Sequence, residues 1–313
     1  MYKEKQISQR EFVPIRGLNY HVQTWNNHPG QSHTQAPLVL VHGWMDVAAS
    51  WQFMLDALSE AFVSKRLIIA PDWRGFGQTT GLQAEQSLQA DSYWFADYLA
   101  DLDFLLDHYV KDQTVDLVGH SMGGNIAMTY AGVKPERIRR LINLEGFGLP
   151  ASQPEQATER YRSWMKELKS LHRGEFELKT YDSVNGVARR LMKTNPRLSS
   201  DKALWLAGHW ARTDANGQWK ILGEAGHKVV SANLYRADET LEIYRRISAP
   251  VLAVEASDDS LGKWYKGTYT LDQYHERLKH VASVKVEVIE DAGHMLHHDQ
   301  PENLAHLIET FLA

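Results

Sequence analysis

Thr114-Val115-Asp116-Leu117-Val118-Gly119-His120-Ser121-Met122-Gly123-Gly124-Asn125-Ile126-Ala127-Met128-Thr129-Tyr130-Ala131 is the stretch that decides the fold. Its first five residues are an apolar, β-branched run of strand length, and its last seven carry the alanines and apolar spacing of a helix. The chain therefore turns abruptly from strand to helix at Ser121. Gly119 and Gly123, two positions either side, let the two elements approach without clash, and the turn lifts the serine hydroxyl above the carboxyl edge of a sheet. The first N–H groups of the helix then point at whatever that hydroxyl attacks. Such a turn suits nucleophilic catalysis, although a lone G-x-S-x-G match also arises by chance.

Outward from that turn, strand and helix patterns alternate. Residues 7–14 and 18–25, separated at Arg16-Gly17, read as two antiparallel strands, and the polar stretch 26–35 as a loop. Residues 37–41 form a continuous apolar run, expected of a strand buried on both faces of a parallel sheet; it ends in His42-Gly43-Trp44-Met45. Helical spacing follows over 48–62 and 92–110, with a strand at 67–70 between them that runs into Asp72-Trp73-Arg74-Gly75-Phe76-Gly77. A further strand at 139–144 ends at Glu145. From 147 to 247 the strand rhythm lapses into charged helical segments, at 156–171, 184–193, 201–210 and 239–247. Strands resume at 250–254 and 284–289, with helices at 271–280 and 301–312. These units predict a mostly parallel, eight-stranded sheet covered by helices, an α/β fold with its sites at the carboxyl ends of the strands. The core comprises residues 1–146 and 248–313, and a helical cap, 147–247, is inserted after the sixth strand.

Composition narrows the functions open to such a fold. The chain has 313 residues, 43% of them hydrophobic, with a net charge of -5 and no cysteine. No basic stripe suggests nucleic acid, thiolate chemistry is ruled out, and no apolar run reaches the roughly 18 residues of a membrane span. The expectation is a cytoplasmic protein acting on a small molecule without a cofactor.

Three residues placed just after strands suit serine catalysis. A serine hydroxyl needs a base to take its proton, and neutral imidazole, with an ordinary pKa of about 6.5, can do so near neutrality. His294 is that base. A carboxylate on its other ring nitrogen fixes the tautomer and stabilises the imidazolium; Asp259, following the strand at 250–254, is expected in that role. The order Ser121, Asp259, His294 is the one this architecture imposes. Charge developing on a carbonyl oxygen calls for donors, and the backbone N–H groups of Met122 and Trp44 are expected to supply them.

The pieces His42-Gly43-Trp44, Asp72 to Gly77, Gly119 to Gly124 and Gly293-His294 resemble the α/β-hydrolase superfamily, and within it serine hydrolase-like proteins with a helical cap. The resemblance spans nearly all of the chain outside the cap. One departure concerns the acid, because relatives often show Gly-x-x-Asp where this chain has Ala256-Ser257-Asp258-Asp259-Ser260. Asp258 could serve if the register shifts, and Glu145 could serve as it does in relatives that carry the acid after the earlier strand. The resemblance implies hydrolysis of an ester or related acyl bond of a small, largely apolar molecule. Carbon–carbon bond hydrolases, lactonases, thioesterases and perhydrolases use the same triad. A non-catalytic binder with the same fold is the reading of another class.

Other features read as structural. His294, His297 and His298 lie close in sequence, but no further spaced ligand set accompanies them, so no metal is expected and His297 is read as bracing its loop. Asp72, Arg74 and His42 are expected to hold turns, and Trp44 to line an apolar pocket.

Overall fold

The apolar runs pair edge to edge in the computed structural model, which describes residues 2–28, 30–82 and 90–313. In chain order the strands are β1 (Gln9–Ile15), β2 (Leu18–Trp25), β3 (Leu38–Val41), β4 (Ile68–Pro71), β5 (Thr80–Gly81), β6 (Val115–His120), β7 (Ile138–Leu144), β8 (Thr180–Tyr181), β9 (Ala211–Thr213), β10 (Trp219–Ile221), β11 (Val251–Ala256) and β12 (Val284–Ile289). The main sheet runs β1-β2-β4-β3-β6-β7-β11-β12, the eight strands expected, and the two-residue β5 adds a ninth by pairing with β2. From β4 to β12 every neighbour is parallel, while β1 and β2 form an antiparallel hairpin turned at Arg16-Gly17. Both turn residues have positive φ, the geometry that matches the twist of a two-residue hairpin.

Burial explains the order. All four residues of β3 and all six of β6 and β11 are buried, as strands covered on both faces require. Two of them are acidic: Asp116 is held by Arg66 at 3.0 Å and Arg139 at 2.5 Å, and Glu255 meets His275 Nε2 at 2.6 Å. At the edge, β12 leaves Val286 and Val288 exposed, and the charged Lys285 and Glu287 set between and beside them blunt the open strand. Because the central strands are parallel, the segments after β3, β6, β7, β11 and β12 emerge at one edge of the sheet.

The helical expectation over 48–62 fails in the middle. A 3-10 turn, Ala48–Trp51, leads into a short helix, Gln52–Leu55, and a second short helix, Glu60–Val63, starts afresh where the Ser59 hydroxyl accepts the Phe62 N–H at 3.2 Å. The segment between β7 and β11 contains helices Ala157–His172, Val184–Thr194, Ser200–Trp210 and Ala237–Tyr244, and also a small antiparallel sheet ordered β8-β10-β9. Strands of two or three residues leave no alternating run to read, so the sequence pattern does not disclose them. Val187, Leu191, Leu206 and Ala207 of this segment share a buried cluster with Val47, Ala49 and Phe53 of the loop after β3. Pro29, inside the expected loop 26–35, lies outside the described residues.

Candidate active site

Ser121 directly follows β6 and caps the helix Met122–Val133 with φ 53° and ψ −115°. A non-glycine residue held there carries on the order of 1–3 kcal/mol of strain, sustained only where the surroundings overdetermine it. Two close approaches do so. A Cβ on Gly119 would sit 2.3 Å from the Gly123 carbonyl oxygen, and one on Gly123 would sit 2.2 Å from the carbonyl oxygen of Val41. The turn is therefore wedged between its own helix and the end of β3. Gly43 presses against it from the loop beyond, since a Cβ there would lie 3.0 Å from His120 Nδ1 and 3.1 Å from Ser121 Cβ.

The loop of His294 meets the same turn. His120 Nε2 donates to the His294 carbonyl at 2.8 Å, and the two rings lie 4.7 Å apart. His294 Nδ1 faces Glu145 Oε2 at 3.2 Å. Glu145 follows β7 with φ 55°, is buried, and is fixed by two bonds to β11: its Oε1 accepts the Ala256 N–H at 2.8 Å, and its own N–H donates to Val254 O at 3.0 Å. Burial drives both partners toward their neutral forms, raising Glu145 to about 7 and lowering His294 to about 4. A quarter of the His294 side chain still reaches solvent, which tempers the desolvation without reversing its sign.

Asp259, expected on His294, is elsewhere. Its Oδ1 accepts the Gly262 N–H at 2.7 Å and caps the helix Ser260–Tyr265. Once a helix starts immediately after this residue, its first-turn amides claim the carboxylate. Asp258 is also engaged away from the histidine, with Arg197 Nη1 at 3.0 Å and Lys263 Nζ at 3.2 Å. Of the three acids open on sequence grounds, the structure brings Glu145 to the ring. Met122 is the first residue of its helix, so its amide has no carbonyl one turn back to receive it. Trp44 directly follows Gly43, and its side chain is about half exposed at 51%.

The neighbouring motifs serve to brace this edge. His42 is buried, with Nδ1 against Gly43 O at 2.7 Å and Nε2 accepting the Trp73 N–H at 2.9 Å. The Asp72 carboxylate takes His21 Nδ1 and the amides of Ala48 and Gln78, all within 2.8 Å. Arg74 forks onto Asp101 at 2.6 and 2.8 Å. Two residues escape the sequence reading. Trp264, on the unforeseen helix Ser260–Tyr265, sets its ring edge-on to His294 with centroids 4.4 Å apart. His120 is a variable position within the serine motif, so only its fixed place beside Ser121 hinted at its contact with the His294 loop.

A parallel sheet with a strained serine at one strand end and a histidine–carboxylate contact beside it defines a class, and a family model for the alpha/beta hydrolase fold matches residues 36–301. The chain belongs to that family and is a hydrolase. It is similar to a serine hydrolase-like protein of Danio rerio, 24% identical over 96% of this chain and 87% of the relative. Among solved structures it is similar to the thioesterase domain from the curacin biosynthetic pathway, with a TM-score of 0.77, 22% identity and coverage of 97% and 99% of the two chains. A hypothetical protein from Pseudomonas aeruginosa PAO1 superposes with a TM-score of 0.79 at 20% identity, covering 100% of this chain and 99% of its own.

Proposed function

We propose that this protein cleaves a carboxylic ester or related acyl bond of a small, largely apolar molecule through an acyl-enzyme on Ser121. His294 takes the serine proton as the oxygen attacks the carbonyl, and Glu145 holds the imidazole in the tautomer that leaves Nε2 free to accept it. The amides of Met122 and Trp44 receive the oxyanion. His294 then gives its proton to the departing alcohol and activates the water that releases the acid. The observation carrying this reading is the Glu145–His294 contact at 3.2 Å, because a buried carboxylate on Nδ1 is what a general-base histidine requires. The half-exposed indoles of Trp264, edge-on to His294, and of Trp44, next in the chain to the Gly43 that packs on Ser121, favour an apolar substrate. The segment 147–247 acts as the cap over this edge, tied down by Trp210 Nε1 on Asp46 at 3.0 Å and Arg197 on Asp258.

A fluorophosphonate probe tests the assignment. Wild-type protein is expected to be labelled stoichiometrically and Ser121→Ala not at all. A folded wild type that stays unlabelled would leave the chain as a binder that keeps the fold.

A further inference from the structure

We propose that Asp46, His120 and His297 form a buried site for one divalent transition-metal ion of the zinc class. They come from three separate segments: the loop after β3, the last residue of β6, and the short helix Leu296–Asp299. One donor atom from each lies within 4.8 Å of the others, the only such group among the described residues. The three residues are between 1% and 3% exposed.

Their unsatisfied valences set this group apart from an ordinary polar cluster. Asp46 Oδ2, His120 Nδ1 and His297 Nδ1 are buried and have no hydrogen-bond partner. His120 Nε2 must carry its proton to donate to the His294 carbonyl, so Nδ1 of the neutral ring presents a bare lone pair. Asp46 Oδ1 is occupied by the Val47 N–H at 2.9 Å and the Trp210 indole at 3.0 Å, which leaves Oδ2 aimed inward. His297 turns Nε2 toward it, 4.0 Å from Asp46 Oδ2 and 3.5 Å from the Ser50 hydroxyl, too long for a direct hydrogen bond to the carboxylate. Asp46 Oδ2 and His120 Nδ1 are buried acceptors without a donor, each forfeiting roughly 1–3 kcal/mol, and a cation bound between them and the His297 ring restores it.

The donor set selects the ion. Two imidazoles and one carboxylate suit zinc or cobalt over magnesium or calcium, which prefer oxygen alone. Ligand bonds of about 2.0–2.2 Å need the three side chains to close inward by roughly an ångström, a motion within reach of rotamer adjustment. The outer partners that orient a ligand are already in place on Asp46 and His120. His298, adjacent in sequence, is excluded, because its Nε2 is held by the Ser50 hydroxyl at 2.6 Å. An ion at this position would lock the loop after β3, the serine turn and the His294 loop to one another. The site stands independently of the acyl-hydrolase reading.

The test uses the full chain, stripped with EDTA and dialysed into chelator-free buffer. Titration with ZnCl2 is expected to show one equivalent bound and a rise in Tm, and CoCl2 to give the visible absorption of a low-coordinate N/O site. Asp46→Asn keeps an oxygen for Val47 and Trp210 while removing the charge, and is expected to weaken zinc binding roughly 10–100-fold and abolish the thermal shift. Wild type that takes up no stoichiometric zinc, or a cobalt spectrum that is purely octahedral, overturns the proposal and leaves a bridging water as the occupant. Equal uptake by a folded Asp46→Asn overturns it in favour of surface histidines. If that variant does not fold, the wild-type stoichiometry and cobalt spectrum decide alone.

Discussion

At the scale of single residues, the partner of His294 separates three carboxylates that the sequence alone leaves open. Glu145→Gln keeps the size of the side chain but offers an amide to Nδ1 that cannot stabilise an imidazolium; kcat of ester hydrolysis should fall roughly 10³–10⁴-fold. Asp259→Asn should leave kcat within a few-fold and lower Tm slightly through the weakened cap on Ser260–Tyr265. The reverse ranking would return the role to Asp259. The histidine also sets the acid limb of activity. Its neutral form is the active one, so kcat/KM is lost as pH falls through its pKa, and burial pulls that value down to about 4. Because burial also raises Glu145 to about 7, the limb of the histidine itself is read in Glu145→Gln: it should lie clearly below the ordinary imidazole value of about 6.5, and a profile of that variant already half lost at pH 6.5 would contradict the burial of His294. That part of the site was not legible beforehand, since exposure and neighbours fix a pKa and neither can be read from residue order.

Among the elements, the strand–turn–helix at Ser121 was the most legible, because it is a local pattern of glycines, an apolar strand and a helix former. Its rigidity has a measurable counterpart. Gly123→Ala would force a methyl group to within 2.2 Å of the Val41 carbonyl, backbone that cannot swing aside. Overpacking of this kind costs typically 1–3 kcal/mol, so the urea midpoint should drop markedly, and an unchanged midpoint would show that β3 and the helix can separate. The acid was less legible for a related reason. Asp259 sits after the expected strand, but the helix that begins at Ser260 was not foreseen, and it is this helix that draws the carboxylate away. The small sheet β8-β10-β9 was likewise hidden, because its pairing depends on contacts far apart in sequence and on strands too short to carry a period.

The whole molecule shows how β3–β6 and the segment 147–247 depend on one another, and His227 measures that dependence. Its ring is stacked between Phe76 and Tyr93 at centroid distances of 3.7 and 3.6 Å, and burial lowers its pKa to about 3. The sign of the linkage follows. The unfolded chain protonates this ring near 6.5 and the folded chain does not, so its contribution to stability is full above that value and is lost as pH falls toward 3. His227→Phe preserves a flat ring and removes the titration. Its stability curve between pH 6 and pH 4 should be less steep than that of wild type by up to about 1.4 kcal/mol per pH unit. Parallel slopes for the two proteins would show that His227 is hydrated in the native state. The mostly parallel sheet flanked by helices was foreseeable at this scale, because buried apolar runs alternating with helices leave few ways to wind a sheet.

If the acid is Glu145, just after β7 and beside the strand that leads to Ser121, an engineering consequence follows. In the proposed relay, the stretch from Ser257 to Lys266 supplies no proton-carrying group, but it carries Trp264 against His294 and the Ser260 hydroxyl that steadies Glu145. Libraries that vary Lys263 to Lys266 and leave Ser260 in place should retune which acyl compounds are admitted while Glu145 and His294 keep their alignment.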